Sequence, residues 1–338
     1  MVLKLDLPTG GYPIYIERGA LDHASELLSL DRRVLIVTDS GVPCEYAQRV
    51  ATQCREAHVV TVAEGEGSKS LSTLEALLGI MLEKGFGRSD CVVAVGGGVV
   101  GDLSGFAAST FMRGIDFYNI PTTVLSQVDS SIGGKVAVNF GGVKNIVGAF
   151  YQPRAVLIDP DVLSTLPKRQ LANGLAESVK MALTSDAELF AIFERGEALE
   201  HIENVIECSL RIKKAVVEED EKENGLRRIL NFGHTLGHGI EAASEGKLYH
   251  GECVALGMIP MCAPDVRARL VTVLQSLGLP TKIEGDLKTA LNFTAHDKKC
   301  EGSAVNVVFV DKIGSYRIEK MPLADWQTYI HEQMEVKG

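Results

Sequence analysis

The sequence contains no apolar run as long as the ~18 residues that a membrane-spanning helix needs. Residues 1–8 also lack the basic, apolar and small-residue order of a signal peptide, so we expect a cytoplasmic protein. The seven cysteines are odd in number and none forms a C-x-x-C motif, which argues against a disulfide framework or a zinc ribbon. The sequence shows neither an internal repeat nor a low-complexity tail.

Positive charge is the minority, with 34 Lys and Arg against 44 Asp and Glu and a formal net charge of −10. Nucleic acid is therefore an unexpected partner, because phosphate backbones require clustered basic residues. Hydrophobic residues make up 46% of the 338 positions, which is typical of a globular protein with about two domains. Glycine is plentiful, with 34 residues, or about 10% against the usual ~7%.

The first half of the chain alternates short β-branched runs with helical patterns. Helices are predicted near 46–55 and at 71–84, and strands are predicted at 34–38, 59–62, 91–95, 117–120 and 155–158. Strands that alternate with helices favour a parallel sheet covered on both faces. We therefore predict a Rossmann-like α/β domain over residues 1–165.

The second half has a different pattern. Helical periodicity is found at 172–183, 199–217, 229–243, 253–261 and 266–277. Only 305–310 and 316–318 are typical of strands. This predicts a mainly α-helical domain over 166–338, and the cleft between two domains is the default place for a ligand.

A glycine-rich turn follows the third predicted strand. Residues 96–101 satisfy G-x-G-x-x-G and precede Asp102 and a predicted helix. Without a Cβ, such a backbone can bring its N–H groups around a pyrophosphate at a helix N-terminus. The nearest acid about 20 residues on, Asp116, precedes a strand rather than ending one, which disfavours an ordinary dehydrogenase. The alternative is a tight strand–helix turn without a ligand.

Carboxylates also follow the first two predicted strands. Asp39 closes the first, while Glu64, Glu66 and Lys69 follow the second. Acids at strand ends suit the hydroxyls of a ribose. Ser68, in the same segment, is also a suitable N-cap for the next helix.

Residues 121–135 read PTTVLSQVDSSIGGK, and Lys144 and Asn145 follow shortly after. Hydroxyls, free N–H groups and ammonium charges in such a loop suit an anion. Arg113, just upstream, adds a guanidinium that can bind phosphate in a bidentate manner. The alternative is a solvated loop with incidental lysines.

The helical half contains a constellation of acid and imidazole groups. Glu177 lies one helical turn before Lys180, His234 and His238 share a helix face, and His250 follows. Two histidines and one carboxylate, with a position left open, match a catalytic Zn²⁺ site. Spacing favours His234 and His238 as the ligand pair, but it does not decide whether His250 replaces one of them. The alternative is that the histidines merely pack.

Upstream of these histidines, Lys213, Glu223 and Arg227 carry charges that could lie close to the start of their helix. Taken separately, they would pass as a solvated charged face.

Taken together, these residues resemble the 3-dehydroquinate synthase family of sugar-phosphate cyclases over about residues 34–299. The motifs that carry the resemblance are, in chain order, GGGVVGD (96–102), PTT (121–123), QVDSSIGGK (127–135), KN (144–145), AESVK (176–180), GLR (225–227), NFGHTLGH (231–238), HGE (250–252) and DKK (297–299).

The resemblance implies an enzyme of the shikimate pathway that acts on 3-deoxy-D-arabino-heptulosonate 7-phosphate. Bound NAD⁺ would oxidise C5, phosphate would leave, the hydride would return, and an intramolecular aldol step would close the carbocycle. NAD is then regenerated in each turnover. The family also implies a homodimer and one divalent metal ion, Zn²⁺ or Co²⁺.

The resemblance further assigns roles to individual residues. It implies Glu177, His234 and His250 as metal ligands, which makes His238 a substrate-side or proton-transfer group. It implies that the phosphate is held by Lys135, Asn145, Asn231, His238 and, from a neighbouring subunit, Arg113. It implies that the carboxylate is held by Lys213, Arg227 and one of Lys298 and Lys299, of which Lys299 is preferred.

The remaining implied roles concern the reacting centre and the cofactor. Asp129, Lys144 and Lys180 would line the reacting centre and the nicotinamide, with Asp102 and Glu223 also in the site. The NAD-binding residues are implied to be Asp39, Glu64, Glu66, Lys69, Gly97, Gly98, Val99, Val100, Gly101, Asp102, Thr122, Thr123, Lys135, Lys144 and Thr165.

Two departures from the family pattern stand out: Pro264 is expected to interrupt a helix, and Leu236 replaces a common Phe.

Three other functions compete with the implied one. A sister cyclase that makes 2-deoxy-scyllo-inosose or a valiolone would need no group for a substrate carboxylate. A metal-dependent polyol dehydrogenase would release NADH. A non-catalytic nucleotide- or sugar-binding protein would explain the glycines but not the Glu/His/His set.

Overall fold

The structure is a computed structural model that describes residues 1–8, 10–221, 225–294, 300–301 and 304–335. The chain divides into two compact units, Met1–Pro167 and Lys168–Gly338. Among the described residues, no helix has both the length and the apolar character needed to cross a bilayer.

The first unit consists, in chain order, of β1 (Val2–Leu5), β2 (Tyr12–Ile16), α1 (Ala24–Leu27), β3 (Arg33–Asp39), α2 (Cys44–Ala51), β4 (Glu56–Val62), α3 (Leu71–Glu83), β5 (Cys91–Gly96), α4 (Gly98–Thr110), β6 (Asp116–Pro121), β7 (Lys135–Phe140), β8 (Val143–Phe150) and β9 (Ala155–Ile158). Seven strands form one sheet in the order β1-β2-β9-β6-β5-β3-β4. β1 pairs antiparallel with β2, and the other neighbours pair parallel. The predicted α/β fold is confirmed.

Burial on both faces explains the continuous apolar runs of the central strands. All of β5 is buried, and β3 contains five consecutive buried residues. Ile36 and Val93 belong to the core that includes buried residues of α2, whereas Leu35 and Val92 belong to the core formed with α3 and α4. A strand of this kind is apolar at nearly every position, because successive side chains enter opposite cores.

The carboxyl ends of four parallel strands define one edge of the sheet. β3, β4, β5 and β6 end at Asp39, Val62, Gly96 and Pro121. Open α/β sheets bind their ligands beyond this edge. The acids after β3 and β4 and the glycine turn after β5 are all placed here by the fold.

Asp116 belongs to the opposite edge, as the first residue of β6. Its carboxylate accepts hydrogen bonds from Arg32 at 2.7 Å and Arg154 at 2.6 Å. Burial alone would raise the pKa of Asp116, but the two guanidinium groups outweigh burial and lower it. Asp116 thus forms ion pairs that connect the start of β6 with the segments just before β3 and β9.

The lysine-bearing segment is not the loop that its composition predicted. A π-helical turn at Ser126–Ser130 is followed by an antiparallel hairpin of β7 and β8. Gly141 and Gly142, both with positive φ, form the two-residue turn between Phe140 and Val143. A Gly-Gly pair between alternating apolar residues is a hairpin signal, and Val136 and Val138 supply that alternation by entering the core.

The second unit consists of α5 (Lys168–Ser185), α6 (Ala187–Glu194), α7 (Ile202–Glu219), α8 (His234–Ala243), α9 (His250–Met258), α10 (Pro264–Ser276), α11 (Leu287–Thr294), β10 (Cys300–Glu301), β11 (Ala304–Phe309), β12 (Arg317–Pro322) and α12 (Leu323–Glu335). The three strands form a small antiparallel sheet in the order β10-β11-β12. The predicted mainly helical character is confirmed.

Two helix predictions in this unit were wrong in detail. The helix expected over 229–243 is divided into a 3-10 helix, Leu226–Asn231, and α8, because Gly233 adopts a left-handed φ of 75°. Pro264 does not interrupt a helix but begins α10. At that position its missing N–H removes no intrahelical hydrogen bond.

Glycines allow α9 to pack directly against the backbones of its neighbours. A Cβ at Gly251 would overlap the carbonyl oxygen of Asn173 on α5, and one at Gly257 would overlap that of Gly233 beside α8. A Cβ at Gly237 on α8 would lie 3.0 Å from the carbonyl oxygen of Cys253. The separation of the three helices is therefore set by backbone contact.

We expect Gly257→Ala to lower the free energy of unfolding by about 1–3 kcal/mol, because the added methyl meets backbone that cannot rotate away. The matched control is Gly79→Ala on α3, where a Cβ meets nothing within 4 Å. Alanine should stabilise that exposed helical position by up to about 1 kcal/mol. Urea unfolding measures both variants, and equal effects would contradict the packing described here.

Candidate active site

Three side chains with metal-binding atoms converge in the helical unit. Glu177 comes from the middle of α5, while His234 and His250 are the first residues of α8 and α9. The Nε2 atoms of His234 and His250 lie 3.5 Å and 3.4 Å from Glu177 Oε1. One ligand atom from each residue lies within 4.8 Å of the others, which is close enough for one shared cation.

The second ring nitrogen of each histidine is also engaged. His234 Nδ1 lies 3.1 Å from the carbonyl oxygen of Phe232, and His250 Nδ1 lies 3.0 Å from Glu241 Oε2. Oxygen acceptors at Nδ1 favour the tautomer that leaves the Nε2 lone pair available to a metal. A fully buried carboxylate and two imidazoles held in this way form a donor set that fits Zn²⁺ or Co²⁺.

The carboxylates around His250 strongly favour its charged form when no cation is bound. Burial alone would lower the pKa of His250, but its hydrogen bonds to Glu177 and Glu241 raise the pKa to about 9. The pocket between these groups therefore attracts positive charge.

His238 lies beside the two other imidazoles. Its ring centroid is 5.5 Å from that of His234 and 5.9 Å from that of His250. The described residues contain a second group of ligand-type side chains, His238, Glu241 and His250, but neither group pairs His234 with His238. The preference for that pair from spacing alone therefore has no support in the geometry.

Glu241 was missed by the sequence reasoning, although a signal was present. It stands seven residues after His234 and three after His238, so the helical period puts all three on one face of α8. A carboxylate on the face of a helix that carries two histidines is a candidate partner for a third.

The HGE motif at 250–252 holds the start of α9. Glu252 accepts two hydrogen bonds of 2.7 Å from Arg169 and one of 2.8 Å from the backbone N–H of Tyr249. The backbone N–H of Gly251 donates to Asn173 Oδ1 at 2.6 Å. His250 is therefore fixed by the two residues that follow it, which anchor the first turn of α9 to α5.

Further cations of the helical unit are buried. Lys180 pairs closely with Glu177, and both side chains are almost fully buried. Lys213 on α7 and Arg227 in the 3-10 helix are only 5% and 3% exposed. The Arg227 guanidinium donates to the carbonyl oxygen of Glu221 at 2.6 Å. Asn231 ends the same 3-10 helix, shortly before His234.

The glycine turn of the first unit has a packing role as well as an open backbone. Gly97 is the N-cap of α4, and Gly98 through Gly101 form its first turn. A Cβ at Gly97 would lie 3.2 Å from Thr123 Cγ2, and one at Gly98 would lie 3.0 Å from Ser130 Oγ. Thr122 donates its backbone N–H to Gly96. Glycine thus keeps the backbone close to the Thr-Thr segment, at the N-terminus of a 13-residue helix.

Lys69 joins this helix to the hairpin. Its ammonium lies 2.6 Å from Asp102 Oδ2, contacts Asn145 Oδ1 closely and is 3.9 Å from Glu66 Oε1. Asn139 donates from Nδ2 to Glu66 at 2.8 Å and accepts the backbone N–H of Asn145 at 2.9 Å. Four of the predicted ligand-binding residues therefore belong to one polar network.

Asp39 and Glu64 lie close together after β3 and β4. A Cβ at Gly41 would overlap Glu64 Oε2 and would lie 3.3 Å from Asp39 Oδ1. Thr165 contacts α2, where its hydroxyl lies 3.0 Å from that of Tyr46. The two carboxylates are thus neighbours, as a shared ribose would require.

The remaining predicted residues are placed as follows. Arg113 is exposed with a φ of 68°, Lys135 and Lys144 are exposed on β7 and β8, and Asp129 lies in the π-helical turn. Glu223, Lys298 and Lys299 lie outside the described residues.

Comparison with known proteins identifies the family of this chain. Residues 59–173 match the family model for the 3-dehydroquinate synthase N-terminal region, and residues 174–300 match the one for its C-terminal region. The chain belongs to the 3-dehydroquinate synthase family. A curated relative from Streptococcus pneumoniae, 3-dehydroquinate synthase, is 42% identical over 353 aligned positions, which cover 98% of this chain and 99% of the relative.

Solved structures of two other cyclases have the same fold. A 2-deoxy-scyllo-inosose synthase complexed with carbaglucose-6-phosphate, NAD⁺ and Co²⁺ has a TM-score of 0.89 at 26% identity, covering 98% of this chain and 100% of that one. The 2-epi-5-epi-valiolone synthase of Streptomyces hygroscopicus, with NAD⁺ and Zn²⁺ bound, has a TM-score of 0.88 at 27% identity, covering 98% and 99%.

We expect Lys69→Met to lower the free energy of unfolding by about 1–3 kcal/mol. This is less than the ~3–5 kcal/mol of a fully buried ion pair, because the Asp102 side chain is still 20% exposed. Hydrogen exchange should also become faster in β8, because Asn145 on that strand loses its contact with Lys69. The control is Lys84→Met, whose exposed pair with Glu83 should leave the free energy of unfolding nearly unchanged. Unchanged exchange in β8 would contradict the role of Lys69.

Proposed function

We propose that this protein catalyses the reaction of the 3-dehydroquinate synthases. In that reaction, 3-deoxy-D-arabino-heptulosonate 7-phosphate is converted to 3-dehydroquinate and inorganic phosphate. The observation that carries the proposal is the convergence of Glu177, His234 and His250, at positions that match motifs of the family to which the chain belongs.

These three residues would hold one divalent metal ion. Support comes from the donor set itself, from the oxygen acceptors at both Nδ1 atoms, and from the Co²⁺ and Zn²⁺ of the related cyclases. Such an ion, when bound, stabilises negative charge on a substrate oxygen as a Lewis acid. Lys180, buried against Glu177, would hold an ammonium charge beside the same oxygen.

The first unit would bind NAD. The glycine turn offers the backbone N–H groups of Gly97–Val100 to a pyrophosphate at the N-terminus of α4, next to Thr122 and Thr123. Asp39 and Glu64 suit a ribose. A bound NAD⁺ would supply reversible hydride transfer at C5 of the substrate, without net consumption of the cofactor. Glu66, Lys69, Lys135, Lys144 and Thr165 complete the proposed cofactor set.

The substrate would need cations for a phosphate and for a carboxylate. We assign the phosphate to Lys135, Asn145, Asn231, His238 and Arg113 of the partner subunit, and the carboxylate to Lys213, Arg227 and Lys299. Lys213 and Arg227 support this assignment because burial strengthens the attraction of a cation for an anionic group. Asp129, Lys144 and Glu223 would line the reacting centre, where residues chiefly orient the substrate and the leaving phosphate can take up a proton.

The proposal includes a cytoplasmic homodimer. Free thiols are found in the described part of the chain at Cys44, Cys54, Cys91, Cys208, Cys253 and Cys262. A reducing compartment favours free thiols. The dimer would allow the exposed Arg113 to serve a second copy of the chain.

We expect one phosphate to be released per heptulosonate 7-phosphate, with no net gain in NADH absorbance, since the hydride returns to the substrate. A chelator should abolish the release, and Zn²⁺ or Co²⁺ should restore it. A hexose 6-phosphate is the control for the sister cyclases, because it lacks the carboxylate and should turn over at least about 100-fold more slowly.

Accumulating NADH would instead identify a dehydrogenase. Full turnover in chelator would exclude the metal site, and equal turnover of the hexose phosphate would favour a sister cyclase.

A further inference from the structure

Glu241 contacts a proposed metal ligand on the side away from the other ligands. Its Oε2 atom lies 3.0 Å from His250 Nδ1, while Nε2 of the same ring lies 3.4 Å from Glu177 Oε1. The side chain of Glu241 is only 19% exposed, so little water competes for this hydrogen bond. His250 is therefore held between two carboxylates that face opposite edges of its ring.

We propose that Glu241 is a positioning residue of the metal centre. A neutral imidazole carries one N–H, and an ionised carboxylate can only accept a hydrogen bond. Glu241 therefore keeps the proton of His250 on Nδ1 and leaves the Nε2 lone pair directed towards the metal. The inference rests on the metal site of the proposed function.

The two histidine ligands differ in what holds them. His234 Nδ1 faces the carbonyl oxygen of Phe232, an acceptor that the backbone supplies whatever the side chain. His250 Nδ1 faces a side chain, so its orientation can be lost by one substitution. Because Glu241 belongs to α8 and His250 to α9, their hydrogen bond also joins the two helices that begin with the histidine ligands.

The same residues could be used in a second way. His238, Glu241 and His250 lie close enough to form a separate cation site. The ring nitrogen of His250 that faces Glu241 is Nδ1, so a cation held there together with Glu241 would take the place of the Nδ1 proton. The two uses exclude each other in a neutral imidazole. The hydrogen-bonding distance to Glu241, with Nε2 facing Glu177, favours the positioning role.

The test is a titration of metal-free protein with Co²⁺ alone, followed by the visible absorption of the bound ion and by calorimetry. Glu241→Gln should weaken binding about 10- to 100-fold, because the charge at Nδ1 is lost while the shape is kept. Glu241→Ala should weaken it further and change the Co²⁺ spectrum. One equivalent should bind to wild type and variants alike. The matched control, Glu245→Gln, removes an exposed carboxylate just past the end of α8 and should leave the affinity within about twofold of wild type.

Unchanged affinity in both Glu241 variants would overturn the proposal. So would two equivalents in wild type that fall to one in Glu241→Gln, since Glu241 would then be a ligand. A measurement on wild type covers the case in which a variant fails to fold: nitrogen NMR of the metal-loaded protein should show a proton on His250 Nδ1, and its absence would refute the role. The titration contains neither substrate nor NAD. Protein that binds one Co²⁺ as predicted but releases no phosphate would refute the proposed function and leave this inference standing.

Discussion

The direct contact of α9 with the backbones around it is the constraint on which the candidate metal site depends. Gly251 meets Asn173 on α5, and Gly257 meets Gly233 at the start of α8. Side chains larger than hydrogen would force these helices apart by more than an ångström. The proposed ligands Glu177, His234 and His250 lie on these same three helices, so the separation of their backbones is set by main-chain contact. Rigid helix positions of this kind suit a site that must hold a cation within fractions of an ångström.

Electrostatics in this protein differ between the surface and the sites. The formal charge of −10 is incompatible with a polyanion partner, yet several cations are withdrawn from water. Lys69, Lys180, Lys213 and Arg227 are all buried. Burying a cation is unfavourable unless anionic or carbonyl groups surround it, and here Asp102, Glu177 and the Glu221 carbonyl do so. The proposed substrate and cofactor would present anionic groups to such cations.

The sequence predicted the parts of this architecture that depend on local pattern. Continuous apolar runs identified the buried parallel strands, because burial on both faces leaves few positions for a polar side chain. Periodicity did not find the division at Gly233, since a single left-handed residue barely disturbs the apolar pattern on either side. Composition predicts a loop where β7 and β8 form a hairpin. The segment is rich in glycine and lysine, and its alternation of apolar and polar residues is short. Family motifs named Glu177 and His250, which no spacing rule could join, because 73 positions separate them along the chain (250 − 177).

The preference for His234 and His238 from spacing finds no support among the groups of ligand-type side chains in the described residues, for a related reason. Spacing describes neighbours on one helix, whereas the candidate site takes one residue from each of three. Glu241 was overlooked because it touches a histidine of another helix, and only the packed structure reveals that contact.

The account is tested most directly by X-ray absorption at the zinc edge, on protein loaded with one equivalent of Zn²⁺. It predicts a first shell of two imidazole nitrogens and carboxylate oxygen near 2.0–2.2 Å, about the usual distances for these ligands, with no sulfur. The Glu177→Gln variant should lose this spectrum. A sulfur shell at about 2.3 Å, or an unchanged spectrum in the variant, would contradict the site that the helix packing assembles.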